Sequence, residues 1–208
     1  MSRFLAKYPA VLKWLYPNRL SRLNTRKTIY LTFDDGPVPE VTPWVLEQLK
    51  KHQAKATFFC IGENIKKHPE VYKAVLAEGH KTANHTYNHF DGWKTGLQDY
   101  IKNTQKTEEL LKQPEENKLF RPPFGKIKNN QASELVKEGY KIVMWDVISW
   151  DFNGKTSAED CLENVLKHTV EGSIIVFHDS LKAKKNLEVV LPQVLKYYSE
   201  KGMNFESL

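Results

Sequence analysis

Residues able to hold a metal or move a proton recur five times along this sequence, each time just after an apolar run. The clusters are Asp34-Asp35-Gly36-Pro37, His85-Thr86-Tyr87-Asn88-His89, Arg121-Pro122-Pro123-Phe124-Gly125, Asp146 with Asp151, and His178-Asp179. Two acids ending an apolar strand repel one another unless a cation or base lies nearby, so Asp34-Asp35 favours function over a solvated turn. His85 and His89 stand four apart, which puts both rings on one face if a helix starts there. Such a pair is often only an exposed helical pattern. With a carboxylate it makes a three-ligand set that leaves zinc a position for water. Arg121 before two prolines can pin a turn, and its fork also suits holding one carboxylate in place. His178, after the apolar residues 174–177, is either a satisfied core histidine or, beside Asp179, a proton donor at a strand end. Phe33, Tyr87, Phe124, Trp145, Trp150, Phe152 and Phe177 flank these clusters, first as core and rim packing and second as surfaces for sugar rings. No nucleophilic triad, P-loop or GxGxxG is present.

Five distant clusters meet only if regular elements bring them together. Short strands are expected over 28–33, 55–60, 81–84, 118–121, 140–146 and 173–178, with a weaker seventh over 203–206. Between them lie helical patterns. One opens at Thr42 as N-cap with Pro43 in its first turn, and another at His68-Pro69 runs to near Gly79. Others cover 98–112, 130–138, 157–168 and 187–200. This alternation predicts an α/β fold with a largely parallel sheet, open or closed into a small irregular barrel. In such folds the carboxyl ends of the strands share one face, and that face carries the site. All five clusters fall there.

The chain has 208 residues, 40% apolar and 27% charged, enough for one sizeable core and too few for two. Disorder and a disulfide-stapled miniprotein are excluded, and Cys60 and Cys161 are expected as buried thiols. No run reaches the roughly 20 apolar residues that cross a bilayer. The net charge is +6, yet residues 1–27 hold seven basic side chains and no acid, so the remainder sums to −1. A near-neutral body with a cationic arm is not a nucleic-acid binder. Phe4, Leu5, Tyr8, Val11, Leu12 and Leu15 give the arm an amphipathic pattern. A helix packed over one end of the domain is favoured over weak contact with a membrane surface, because Pro9 and Pro17 limit its length. Lys7, Pro9 and Lys13 interrupt any cleavable signal, so a cytoplasmic or membrane-associated location is expected.

Taken in order, TFDDGP, HTYNH, RPPFG, WDVISWDF and IIVFHD resemble the motifs of the polysaccharide deacetylases with a NodB homology domain, carbohydrate esterase family 4. The likeness spans about residues 28 to 180. It implies an irregular (β/α) barrel of about seven parallel strands, a single domain over 28–208 after the arm at 1–27. It also implies a hydrolase that removes N-acetyl groups from amino sugars with a divalent metal, zinc first and cobalt second. Carried onto this sequence, Asp35, His85 and His89 resemble the metal ligands and Asp34 the catalytic base. Arg121 looks like the partner of Asp34, and the Phe124 N–H like the oxyanion donor. His178 resembles the general acid, and Asp151 the carboxylate that tunes it. The fourth motif departs from the family's D-x-x-D-W, with Ile148 for the first acid and Phe152 for the tryptophan, and Asp146 stands two positions earlier as a candidate replacement. The expected partner is an N-acetylated oligo- or polysaccharide such as chitooligosaccharide or peptidoglycan. Alternatives are an amidase or esterase for another acyl group, or a metal-bearing carbohydrate-binding protein without turnover. Retention of both Asp34 and His178 disfavours the last.

Overall fold

β1 (Thr28–Asp34) is buried at every position. A strand buried on both faces belongs in the middle of a parallel sheet with helices on each side. The computed structural model, which describes residues 5–111 and 118–208, puts it there. β2 (Ala56–Cys60) and β7 (Ile174–His178) pair along its two edges, both parallel. Outward from β2 follow β3 (Lys81–Asn84), β4 (Lys118–Phe120) and β5 (Tyr140–Ile142), and outward from β7 lies β6 (Val147–Ile148). These seven parallel strands curl into a half-barrel, and β8 (Asn204–Phe205) adds to the start of β1.

Helices α1 (Ala10–Leu15), α2 (Thr42–Lys51), α3 (Gly62–Lys67), α4 (Pro69–Ala77), α5 (Leu97–Glu108), α6 (Asn129–Lys137), α7 (Ala158–His168) and α8 (Lys184–Glu200) complete the chain. Proline in the first turn starts α2 and α4 where its missing N–H costs nothing. Ser157 caps α7 by accepting the Asp160 N–H at 3.1 Å, with acids in the first turn and bases in the last. The apolar faces of α2, α7 and α8 close over the central strands, where Leu49, Val165, Leu191 and Val194 are fully buried. Register sets Asp34 beside His178 and Asn84 beside Phe120, so the strand ends form one rim. Cys60 and Cys161 are both free and buried.

Three expectations need correction. The strand expected over 140–146 is two strands, because the chain leaves its pairing with β4 at β5 and takes up β7 at β6. Thr42 is the first helical residue of α2, not its N-cap, and its hydroxyl donates to Asp179 at 2.6 Å. The short helix α3 forms over residues 62–67, where no helix is expected from sequence, since six residues carry too little periodicity to signal one. Phe4 of the arm and the last residue of the helix expected over 98–112 lie outside the described residues. The rest of the arm lies along the half-barrel, with Lys7 bridged to Val147 and Leu20 to Val143.

Candidate active site

A cleft of about 370 Å³ opens at the carboxyl ends of the strands. Its wall includes Asp34, Asp35, His85, His89, Arg121, Phe124 and His178. Asp34 ends β1, and Asp35 follows in a left-handed turn at φ 82°. His85 follows β3, Arg121 follows β4, and His178 ends β7. Asp151 is buried just behind His178.

The two histidines do not share a helix. Thr86 and His89 take left-handed conformations at φ 62° and 55°, and this coiled turn, not an i, i+4 helical face, brings the rings 5.1 Å apart. Asn103 on α5 braces the turn by accepting the N–H groups of Tyr87 and Asn88 at 2.8 and 3.0 Å.

Asp35, His85 and His89 place their ligand atoms within 4.8 Å of one another. Asp35 Oδ1 lies 3.2 Å from His89 Nε2 and 3.8 Å from His85 Nε2. It is buried yet accepts no well-aligned hydrogen bond. His85 Nδ1 is 2.7 Å from the Arg121 carbonyl, which can only accept, so Nδ1 carries the proton and Nε2 offers a lone pair to the cleft. Burial lowers the His85 pKa to about 4, which keeps that ring neutral at pH 7. Burial by itself would raise the Asp35 carboxyl, but His89, His178 and His85 together hold it well below the usual carboxylate range. An orphaned carboxylate oxygen grouped with the His85 lone pair and the His89 imidazole fits a divalent cation.

Asp34 belongs to a second set. Arg121 is fully buried, and its Nη1 donates to Asp34 Oδ1 at 2.6 Å and to Thr32 Oγ1 at 2.8 Å. Nη2 donates to the Met144 carbonyl at 2.9 Å, and the guanidinium carbon sits 4.0 Å from the Phe59 ring centre. Burial lowers the Arg121 pKa while Asp34 opposes the shift. The guanidinium is therefore a fixed cation aimed at one oxygen of Asp34.

His178 and Asp151 form the third set. Asp151 Oδ1 lies 2.8 Å from His178 Nδ1, and Oδ2 accepts the His178 backbone N–H at 2.8 Å. Nδ1 is thereby committed, and Nε2 is the nitrogen left for the cleft. Burial lowers the His178 pKa, but Asp151, Asp35 and Asp34 outweigh it and the ring is raised to about 9. Phe152 packs 4.4 Å from His178 and Trp150 5.4 Å from Phe152, so aromatic carbon fills the wall around His178.

Asp146 does not replace the missing acid of the fourth motif. It is fully buried away from the cleft, where it binds Lys7, Lys13 and Ser173 at 2.8, 2.7 and 2.7 Å. Phe124 lies in the turn after Arg121 at φ 59°, with its ring edge-on to His89 at 4.6 Å. Sequence reasoning missed Thr32 as a support of Arg121, although a hydroxyl in an otherwise apolar strand is a visible signal. It also left Asp179 without a task. That carboxylate accepts the Gly36 N–H and the Thr42 hydroxyl, and burial pushes it up to about 8.

A family model described as polysaccharide deacetylase matches residues 22–143. A peptidoglycan-N-acetylglucosamine deacetylase of Bacillus cereus is 38% identical over 86% of this chain and 66% of its own. This chain thus spans just under two thirds of that relative. The peptidoglycan-N-acetylmuramic acid deacetylase PdaA of Bacillus subtilis is 31% identical, over 89% of this chain and 72% of its own. The crystal structure of the Bc1960 peptidoglycan N-acetylglucosamine deacetylase superposes with a TM-score of 0.86 at 34% identity, covering 95% of this chain and 94% of that one.

Proposed function

This chain belongs to the polysaccharide deacetylase family, and on that premise we propose that it hydrolyses N-acetyl groups from the amino sugars of peptidoglycan, releasing acetate. One observation carries the reading. A carboxylate fixed by Arg121 and an imidazole fixed by Asp151 face the same cleft as the Asp35, His85 and His89 ligand set.

Zinc is the cation we assign to Asp35, His85 and His89, with cobalt as the runner-up. When bound, it supplies Lewis acidity that polarises the amide and acidifies water. Arg121 occupies Oδ1 of Asp34, so the second oxygen is free to take the proton of the attacking water. The Phe124 N–H is assigned to the oxygen that becomes negative as the amide carbon turns tetrahedral. An amine leaves poorly unless it is protonated. His178 Nε2 supplies that proton, and Asp151 stabilises the imidazolium before transfer. Each turnover thus moves one proton from water to Asp34 and one from His178 to nitrogen, and solvent resets both groups.

Acetate release measured side by side on peptidoglycan, N-acetylchitooligosaccharides and O-acetyl xylan tests the reading. Acetate from the two N-acetylated glycans is expected. Release from the xylan alone overturns N-deacetylation in favour of an esterase.

A further inference from the structure

A second feature lies beside the cleft and is used by none of the steps above. Trp93 is 63% exposed, which is unusual for so large an apolar side chain on a rigid segment. The turn that carries it is pinned at many points. Asp91 accepts the Trp93 N–H on Oδ1 at 3.0 Å, and its carbonyl accepts the Lys94 N–H at 3.0 Å. Gln131 donates to the carbonyls of Gly92 and Thr95 at 3.0 and 3.1 Å. A Cβ on Gly92 would fall 2.4 Å from the Lys126 carbonyl, so only glycine lets the turn sit this close. The indole is thus held in solvent by a built scaffold.

Contacts lead from this ring to the metal ligands. The Lys126 ammonium stands 5.4 Å from the Trp93 ring centre and 5.6 Å from that of Phe124. Phe124, itself 60% exposed, touches His89. Two outward-facing rings therefore flank one cation, within an oligosaccharide's reach of the reaction centre. Past the same turn a cleft of about 470 Å³ is lined by Lys94, Lys102 and Lys106, against a single acid, Asp99. Among the described residues neither Lys94 nor Lys102 makes an ion pair, while Lys106 stands 3.6 Å over the Tyr87 ring.

We propose that the turn over residues 91–96 is a distal glycan subsite, in which Trp93 stacks on a sugar ring and the lysine cleft behind it takes a carboxylate borne by the glycan. The flat indole suits the C–H face of a pyranose, and the unpaired ammoniums suit an acidic substituent. The proposal rests on the deacetylase reading for its substrate class and adds a preference. Acidic peptidoglycan strands are bound over neutral chitin-like oligomers of equal length.

The test is calorimetric titration of the full chain carrying Asp34→Asn, in which turnover is slowed at least about a hundredfold and little substrate is consumed. The probes are N-acetylchitobiose, N-acetylchitotetraose and a peptidoglycan tetrasaccharide bearing its peptide carboxylates. Trp93→Ala is expected to weaken both tetramers about tenfold and the disaccharide little, with Trp93→Phe losing less. Lys94→Gln with Lys102→Gln is expected to weaken only the carboxylate-bearing tetramer, by roughly three- to fivefold, an effect that fades at high salt. Equal losses at both chain lengths, no loss in Trp93→Ala, or no tetramer binding by the parent titration overturns the subsite. Acetate release is measured separately with Asp34 intact. Binding without acetate strikes the deacetylase reading alone, and acetate with unaltered tetramer affinity in Trp93→Ala strikes the subsite alone.

Discussion

Asp34 and Asp35 are neighbours in sequence, and what each meets in space decides what it does. Asp34 meets a guanidinium that cannot lose its proton, while Asp35 meets the imidazoles of His85 and His89. If Asp34 is the base proposed above, Asp34→Asn keeps the shape but cannot take the proton, so bound metal should stay at the parental stoichiometry while kcat falls about 10²- to 10⁴-fold. Elemental analysis beside acetate release reads both, and parental turnover would falsify the base assignment. His178 makes a complementary case. Its pKa is raised to about 9, so the acid form persists through neutral pH and activity should decline on the alkaline side. Asp151→Asn removes the nearest charge that raises it, and the alkaline limb of kcat/KM should move down by about one unit or more. An unmoved limb assigns it to another group. The same shift adds stability that is complete below the ordinary histidine value near 6.5 and is lost as pH rises through about 9.

At the scale of elements, the site depends on turns that tie strand ends to one another. Asp179, just past β7, accepts the Gly36 N–H at 3.0 Å and the Thr42 hydroxyl at 2.6 Å, and so joins the turn after β1 to the start of α2. A Cβ on Gly36 would lie 1.9 Å from Asp179 Oδ2, so Gly36→Ala must displace that carboxylate or the turn bearing Asp35. A loss of about 1–3 kcal/mol is expected by urea unfolding, together with weaker metal binding. Unchanged metal affinity in a destabilised variant would detach the turn from the site. Helices opened by Pro43 and Pro69 were legible because their signal is local. The split between β5 and β6 was not, because it arises when the chain exchanges β4 for β7, a choice of partner that no window of sequence contains. The convergence of His85 and His89 was legible from residue type, but the means was not. The turn with left-handed Thr86 and His89 is held between them, where Asn103 on the following helix accepts the Tyr87 and Asn88 N–H groups.

At the scale of the whole molecule, the open ends of the half-barrel and the cationic arm explain one another. The path of strands begins at β5 and ends at β6, leaving two edges that would otherwise invite pairing with another chain. The arm occupies both. Ala6 and Tyr8 exchange backbone hydrogen bonds with Ile148 and Asp146 at 2.9 and 3.0 Å, and Leu20 does so with Ile142 and Met144 at 2.8 and 2.7 Å. The Leu5 carbonyl also accepts the Trp150 indole N–H at 3.2 Å, so the arm reaches the wall of the cleft. Charge fixes the register, because Lys7 and Lys13 converge on Asp146, a carboxylate with no exposure of its own. Burial by itself would raise the Asp146 pKa, but the Lys13, Lys7 and Ser173 hydrogen bonds lower it. Its contribution is therefore present above the ordinary aspartate value near 3.9 and is lost as pH falls through the depressed one. Asp146→Asn keeps the shape and removes the charge. Both ammoniums keep about a third of their surface in water, so the loss at pH 7 should be about 2 kcal/mol, below that for a fully buried pair. The variant should also lose less stability than the parent when both are acidified. Removing residues 1–20 goes further and uncovers both edges, and light scattering should then show concentration-dependent association that Asp146→Asn does not. A truncated chain that stays monomeric and as stable as the parent would mean that the arm seals nothing.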